Sequence, residues 1–261
     1  MDPGRLHQHE HNLRIGSRTV KRLIALAALW LATAPALAAD YDKTEKSPLS
    51  EIRLRVPAAA VTIAPLWGRI MALYKSDADE ARTEAKEDRE SNPGFQPYSI
   101  DISWRVTFEN DSVISLSADT YADTGAAHPG GSFQTLVWDK KTSRAVAINE
   151  LFAPGQAKAA LAAIADAAAR AWGKVYAQRS GQEAGPQADL ARDGIGPDAG
   201  KLKTYALTRA RGETAANGIV LLYGAGQVWP HVLGEFRLAV SATTFARYLA
   251  PQWRPVFAVR S

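Results

Sequence analysis

The chain reads as an α+β protein, an antiparallel sheet of about six to eight strands covered by one long helix, with further short helices. Three observations predict this. Residues 98–109 alternate Tyr98, Ile100, Ile102, Trp104, Val106 and Phe108 with Ser99, Asp101, Ser103, Arg105, Thr107 and Glu109, the period of a strand with one greasy and one wet face. Residues 156–178 place Leu161, Ile164, Ala165, Ala168, Trp172, Val175 and Tyr176 on a single helical stripe. A sheet wet on one face must bury the other against a second layer, and the alanine-rich helix is the expected cover.

The first element is an export signal. Lys21 and Arg22 precede the apolar run Leu23 to Ala32, and Ala36-Leu37-Ala38 supplies small residues where a signal peptidase reads. A membrane-spanning helix needs about 20 apolar residues, more than this run offers before Pro35. Cleavage is expected after Ala38, giving a periplasmic or secreted product with no membrane span in its mature form. Translation starting near Val20 would leave a signal of ordinary length.

Removing residues 1–38 also removes five Lys or Arg against Asp2 and Glu10, a net +3 of the chain's +4, so the remainder is about +1. Nucleic acid is therefore not expected as a partner, because a folded nucleic-acid binder keeps its basic excess. Cysteine is absent, so the fold stands without disulfides and no N-terminal Cys exists for a lipid anchor. Six of the seven Trp lie beyond Ala38, enough large apolar surface to fill the core of one sizeable body. The halves 39–134 and 135–261 are expected to pack as one unit.

Residues 39–49 are polar and read as a linker. Glu51 to Val56 alternates as a strand, with Ile52, Leu54 and Val56 on one face. Pro65 suits the first turn of a helix whose inward positions are Leu66, Ile70, Leu73 and Tyr74. Beyond Lys75 the helix is heavily charged and reads as a solvated extension, stopped by Ser91-Asn92-Pro93-Gly94. Asn110-Asp111-Ser112 turns the 98–109 strand into its return, Val113 to Tyr121, a long hairpin. Phe133 to Asp139 is another strand, followed by a turn and by residues 146–152. Residues 180–200 lack periodicity and read as an exposed loop. Tyr205 to Arg209, Ile219 to Tyr223 and Phe236 to Val240 complete the strands. Thr243 to Leu249 is a short closing helix with Ser241 as its N-cap.

Several of these segments carry a family resemblance. Ser115 to Tyr121 followed by Thr124-Gly125-Ala126-Ala127-His128-Pro129, then Leu136-Val137-Trp138-Asp139, Ile148-Asn149-Glu150-Leu151-Phe152, Ile219 to Tyr223 and Phe236 to Leu249 are similar to an extracytoplasmic domain of unknown function. That domain is shared by RsiV-type anti-sigma factors and PdaC-type peptidoglycan deacetylases, where it is non-catalytic. Ala126 stands where the family has a second glycine, and Asn149-Glu150 where Leu-Asp is usual. The resemblance implies an α+β fold and a cell-envelope role, and it does not imply catalysis.

The residues assigned to ligand binding are Tyr121, His128, Tyr223, Trp229 and His231. His128 lies near Asp119 and Asp123 in sequence, and an imidazole oriented by a carboxylate can act as a base or a metal ligand. A zinc site from His128, His231 and Glu235 would need two loops to meet, and no HExxH spacing exists. Neither a Gly-x-Ser-x-Gly elbow nor a nucleotide-binding glycine loop occurs. Paired carboxylates for glycan hydrolysis could be assembled from Asp101, Glu109, Asp119 and Asp123, but Asp101 and Glu109 alternate with the apolar face of an exposed strand, where such groups usually solubilise. Tyr223 and Trp229 flank a glycine-rich loop, where an exposed ring can stack on a sugar or anchor a protein. The reading is an exported, non-enzymatic binding module for peptidoglycan or an envelope protein such as a lysozyme, with no cofactor, metal or catalytic residue. The alternative is a hydrolase or metal-dependent enzyme centred on His128.

Overall fold

The structure is a computed structural model that describes residues 39–125, 129–185, 187–228 and 231–257. The fold is mixed α+β, as the periodicities predict, but its strands divide between two sheets. The first holds β1 (Tyr41–Lys46), β2 (Ser50–Val56), β3 (Tyr98–Glu109), β4 (Val113–Asp123), β5 (Gly130–Asp139) and β6 (Arg144–Ala145), side by side in that order. The second holds β7 (Tyr205–Thr208), β8 (Gly218–Tyr223) and β9 (Phe236–Ser241).

One pairing in the first sheet is parallel. Strand β2 runs alongside β3 with Ile52 opposite Ile100 and Leu54 opposite Ile102, while the other pairings are antiparallel. Parallel neighbours need a crossover, and the chain supplies it as the short turn α1 (Ala58–Val61) and the long helix α2 (Ala64–Ser91). Helix α2 therefore lies over the sheet it connects. Its buried side chains Leu66, Ile70, Tyr74, Ala78 and Ala81 pack with Ile52, Leu54, Ile102, Trp104, Ile114, Leu116 and Trp138. The charged half expected to be a solvated extension keeps a narrow alanine seam, with Ala78, Ala81 and Ala85 buried.

The alanine-rich helix α3 (Ala157–Ser180) covers the other sheet instead. Leu161, Ile164, Ala165, Ala168, Trp172 and Tyr176 share a core with Tyr205, Leu207, Ile219, Leu221, Phe236, Leu238 and Val240. A six-stranded sheet under one long helix stands as expected; what is corrected is which helix covers it, α2 in place of the alanine-rich α3, which has the second sheet. Strand β7 meets β3, β4 and β5, and the Leu207 amide donates to Ser115 Oγ across 2.9 Å. This contact explains why β4 is buried on both faces from Val113 to Ala118. A β-bulge between Val106 and Phe108 then turns Phe108 out of register, opposite Ser115, so its ring joins the α3 core rather than that of Trp104.

Three local expectations are also corrected. Residues 41–46 pair with β2 as an edge strand rather than forming a linker. The region read as a loop contains α4 (Gln187–Ile195), whose Ala191 and Ile195 are fully buried. The closing helix is two short 3-10 turns, Ala242–Thr244 and Ala246–Tyr248, the first capped by Ser241 Oγ as expected. Among the described residues no helix is long and apolar enough to cross a membrane.

Candidate functional site

Because β7 crosses only one end of the first sheet, the polar face remains open at the other. There it forms a cleft of about 740 Å³ against β9, lined by Arg55, Asp101, Ser103, Asp119, Thr120, Tyr121, Gly131, Glu235 and Arg237. Residues opposite one another in register share a face, so one row across the strands runs Asp42, Arg55, Ser103, Asp119, Phe133. The next row runs Thr44, Arg53, Asp101, Tyr121, Gly131. These are the wet positions of the strands, and they converge into one charged surface.

Its charges pair between rows. Arg53 Nε donates to Asp42 Oδ1 at 2.9 Å, and this hydrogen bond holds Asp42 below the usual carboxylate range and Arg53 above its ordinary value. Arg55 Nη2 donates to both oxygens of Asp101, at 2.7 and 2.8 Å. Between the two sheets Asp119 accepts from two arginines at once: Arg105 Nη1 on Oδ2, and Arg237 Nη2 on Oδ1 at 2.6 Å. Arg105 comes from the first sheet and Arg237 from the second, so Asp119 ties the sheets together. Burial, and then the neighbouring Arg237 charge, lower the pKa of Arg105 from its ordinary value. It stays charged all the same, since guanidinium retains its proton throughout the biological range.

Arg237 is held from three sides. Its guanidinium rides 4.5 Å above the centre of the Phe133 ring, meets Asp119, and stands 3.9 Å from Glu235. Glu235 in turn lies so close over Gly131 that a Cβ there would fall 2.1 Å from Glu235 Oε1. The loop entering β9 is pinned from behind by Arg179 at the end of α3, which donates to the carbonyls of Leu233 at 2.7 Å and Glu235 at 2.6 Å. The same guanidinium covers the Phe236 ring at 4.8 Å. Val232, at the apex of the pinned loop, is 87% exposed.

The assigned residues are distributed unevenly about this cleft. Tyr121 lines it and is 50% exposed, a large aromatic surface offered to a ligand. His231 is exposed in the short turn His231–Leu233 that leads to Glu235. Tyr223 is buried, 6% exposed, on the α3-facing side of β8, and burial alone pushes its phenol well above its ordinary value. His128 and Trp229 lie outside the described residues. Asp123 Oδ1 accepts from the Gly125 amide at 3.0 Å, an Asx turn at the rim. Among the described residues no three His, Asp or Glu side chains are grouped to hold a metal.

Sequence reading passed over Arg55, Arg105, Arg179 and Arg237, and took Asp101 for a solubilising charge. The signal was there in part. Opposite charges at alternate positions of neighbouring strands, Arg53 and Arg55 beside Asp101, then Arg105 beside Asp119, mark a paired rather than a merely solvated face.

The family model described as deacetylase PdaC matches residues 43–130, about a third of the chain and the part that runs from β1 to the rim of the cleft. No curated protein matches. Among solved structures, a DUF3298 family member from Bacteroides fragilis is similar at 14% identity and a TM-score of 0.48, over 81% of this chain and 92% of its own. A DUF3298 family protein from Pseudomonas aeruginosa is similar at 15% identity and a TM-score of 0.49, over 85% and 95%.

Proposed function

We propose that the chain is an exported, non-enzymatic binding module of the cell envelope and that peptidoglycan lies across the cleft of Tyr121, Asp119 and Arg237. The export signal supports the compartment, and the match of residues 43–130 to the deacetylase PdaC model supports the envelope role. One observation carries the binding reading: an open cleft whose floor is a lattice of guanidinium–carboxylate pairs with an exposed tyrosine ring beside it. Sugar hydroxyls both donate and accept, so they satisfy the spare donors of Arg55 and Arg237 and the spare lone pairs of Asp101 and Asp119 without leaving a charge unpaired. The Tyr121 ring gives the apolar face of a sugar somewhere to stack.

The same pairing argues against acid–base chemistry at these carboxylates. Both oxygens of Asp101 and both of Asp119 already accept from arginine, which fixes guanidinium orientation and leaves neither group poised beside a scissile bond. The test is co-sedimentation of the purified protein with peptidoglycan sacculi in moderate salt. Retention is expected, with Tyr121→Ala and Arg237→Ala each reducing it about five- to tenfold, as losing one stacked ring or one charged anchor does. No retention of the wild type, or undiminished retention of both variants, overturns the proposal. Capture of an envelope protein by the same cleft, with sacculi ignored, overturns the choice of ligand.

A further inference from the structure

A second hollow lies on the opposite side of the first sheet, and its chemistry differs from that of the cleft. It is an open hollow of about 1030 Å³ between the β1–β2 turn and the C-terminal half of α2. Pro48 and Leu49 form one wall, and Arg82, Lys86 and Arg89 stand along the other. Positions 82, 86 and 89 are four and three residues apart, so they occupy one flank of the helix beside the buried Ala78, Ala81 and Ala85 seam.

The three cations are not equivalent. Arg82 is taken up by Glu45 on β1 and by Asp79 at 3.0 Å, and it spans the gap between strand and helix as a strut. Lys86 and Arg89 have no carboxylate partner among the described residues, and Glu90 is the single acidic side chain on the lining. The hollow thus combines an apolar wall with two unpaired positive charges at its mouth. A peptide strand added to the edge of β1 fits poorly: Asp42, Lys43, Glu45 and Lys46 charge that edge strand, and Arg82 is tied to its Glu45.

We propose that this hollow binds one molecule of an amphiphilic anion, its aliphatic chain against Pro48 and Leu49 and its acidic head between Lys86 and Arg89. Charge complementarity selects the head, and the Pro48–Leu49 wall selects the tail. The site is separate from the cleft, so neither reading depends on the other. A single dissolved molecule is the occupant rather than a membrane surface, because the hollow lies between a strand turn and a helix, with Leu49 half-buried on one wall and Lys86 and Arg89 exposed on the other.

The experiment is calorimetric titration of the purified protein with decanoate below its micelle concentration, and in parallel with 1-decanol, which has the same chain and no charge. Saturable one-to-one binding of decanoate is expected, with decanol about tenfold weaker or more. The Lys86→Glu/Arg89→Glu variant, altered at exposed helix positions, is expected to weaken decanoate about tenfold and to leave decanol unchanged, as removing two ion pairs does. Leu49→Asp is expected to weaken both. The proposal is overturned by an absence of saturable binding, by equal affinity for decanoate and decanol, or by indifference to the charge reversal. It is likewise overturned if anionic vesicles bind the protein and decanoate fails to compete.

Discussion

Replacing Asp119 by Asn tests the charge lattice most directly. The substitution keeps the side chain's shape and removes the anion on which Arg105 and Arg237 converge, leaving two guanidiniums facing each other across a neutral amide. The side chains concerned are 36% to 46% exposed, so each lost pair has the value of a screened surface ion pair, about 0.2–1 kcal/mol. Two such pairs, with the new repulsion added, come to about 1–2 kcal/mol at low salt. For a protein of this size that lowers Tm by roughly 3–6 °C. In 1 M salt the screening length falls to about 3 Å and most of the difference disappears. Urea and thermal unfolding of wild type and D119N at low and high salt give the measurement, and a double-mutant cycle with Arg237→Met isolates the bond between the sheets. A D119N protein that unfolds like wild type at low salt refutes the reasoning. So does an equal loss at both salts, since a charge effect must be screened.

Four further outcomes are expected. Trp172 is fully buried between Tyr176 and Phe236, with ring centroids at 5.0 and 6.1 Å, and Trp172→Ala costs about 3–5 kcal/mol in a urea melt. Gly218 sits where a Cβ would fall 2.2 Å from the backbone oxygen of Val240, so Gly218→Ala pushes β8 from β9 and costs about 2–3 kcal/mol in the same assay. Gly131→Ala meets only the movable end of Glu235, so the urea midpoint changes little while peptidoglycan retention falls as Glu235 swings into the cleft. Burial raises the Asp77 carboxyl above its ordinary value despite the amide bond from Gln134 at 2.6 Å, so the folded state holds that proton more tightly than the unfolded chain does. Its ionisation therefore costs stability above the carboxylate range, and the cost fades as pH falls through it. Asp77→Asn is expected to melt higher than wild type at pH 7 and at the same temperature near pH 3, and a gap that persists at pH 3 contradicts that sign.

Much of the fold was legible because its signals are short. The alternation of residues 98–109, the hairpin turn at Asn110 and the stripe from Leu161 to Tyr176 each declare themselves within a few residues of chain. The edge strand Tyr41–Lys46 was not legible, since an exposed edge is polar on both faces and resembles a linker. Nor was α4, where proline and glycine on both sides mask a nine-residue helix. Of the site, Tyr121 was assigned with the strand and turn that carry the family resemblance. The lattice around it was missed because a paired charge and a solvated one look the same on a single strand.

By itself the sequence determined the α+β class, the periods of the principal strands and helices, and the apolar faces each had to bury, because these follow from dihedral and solvation preferences acting over a few residues. Only the tertiary structure decided that the strands form two sheets, that β2 and β3 run parallel beneath the helix joining them, and that the alanine stripe of α3 covers the smaller sheet. It also decided the cleft: Arg237 meets Asp119 across 118 residues of chain. A contact at that range depends on how two layers pack, and no local pattern in the residues between them encodes it.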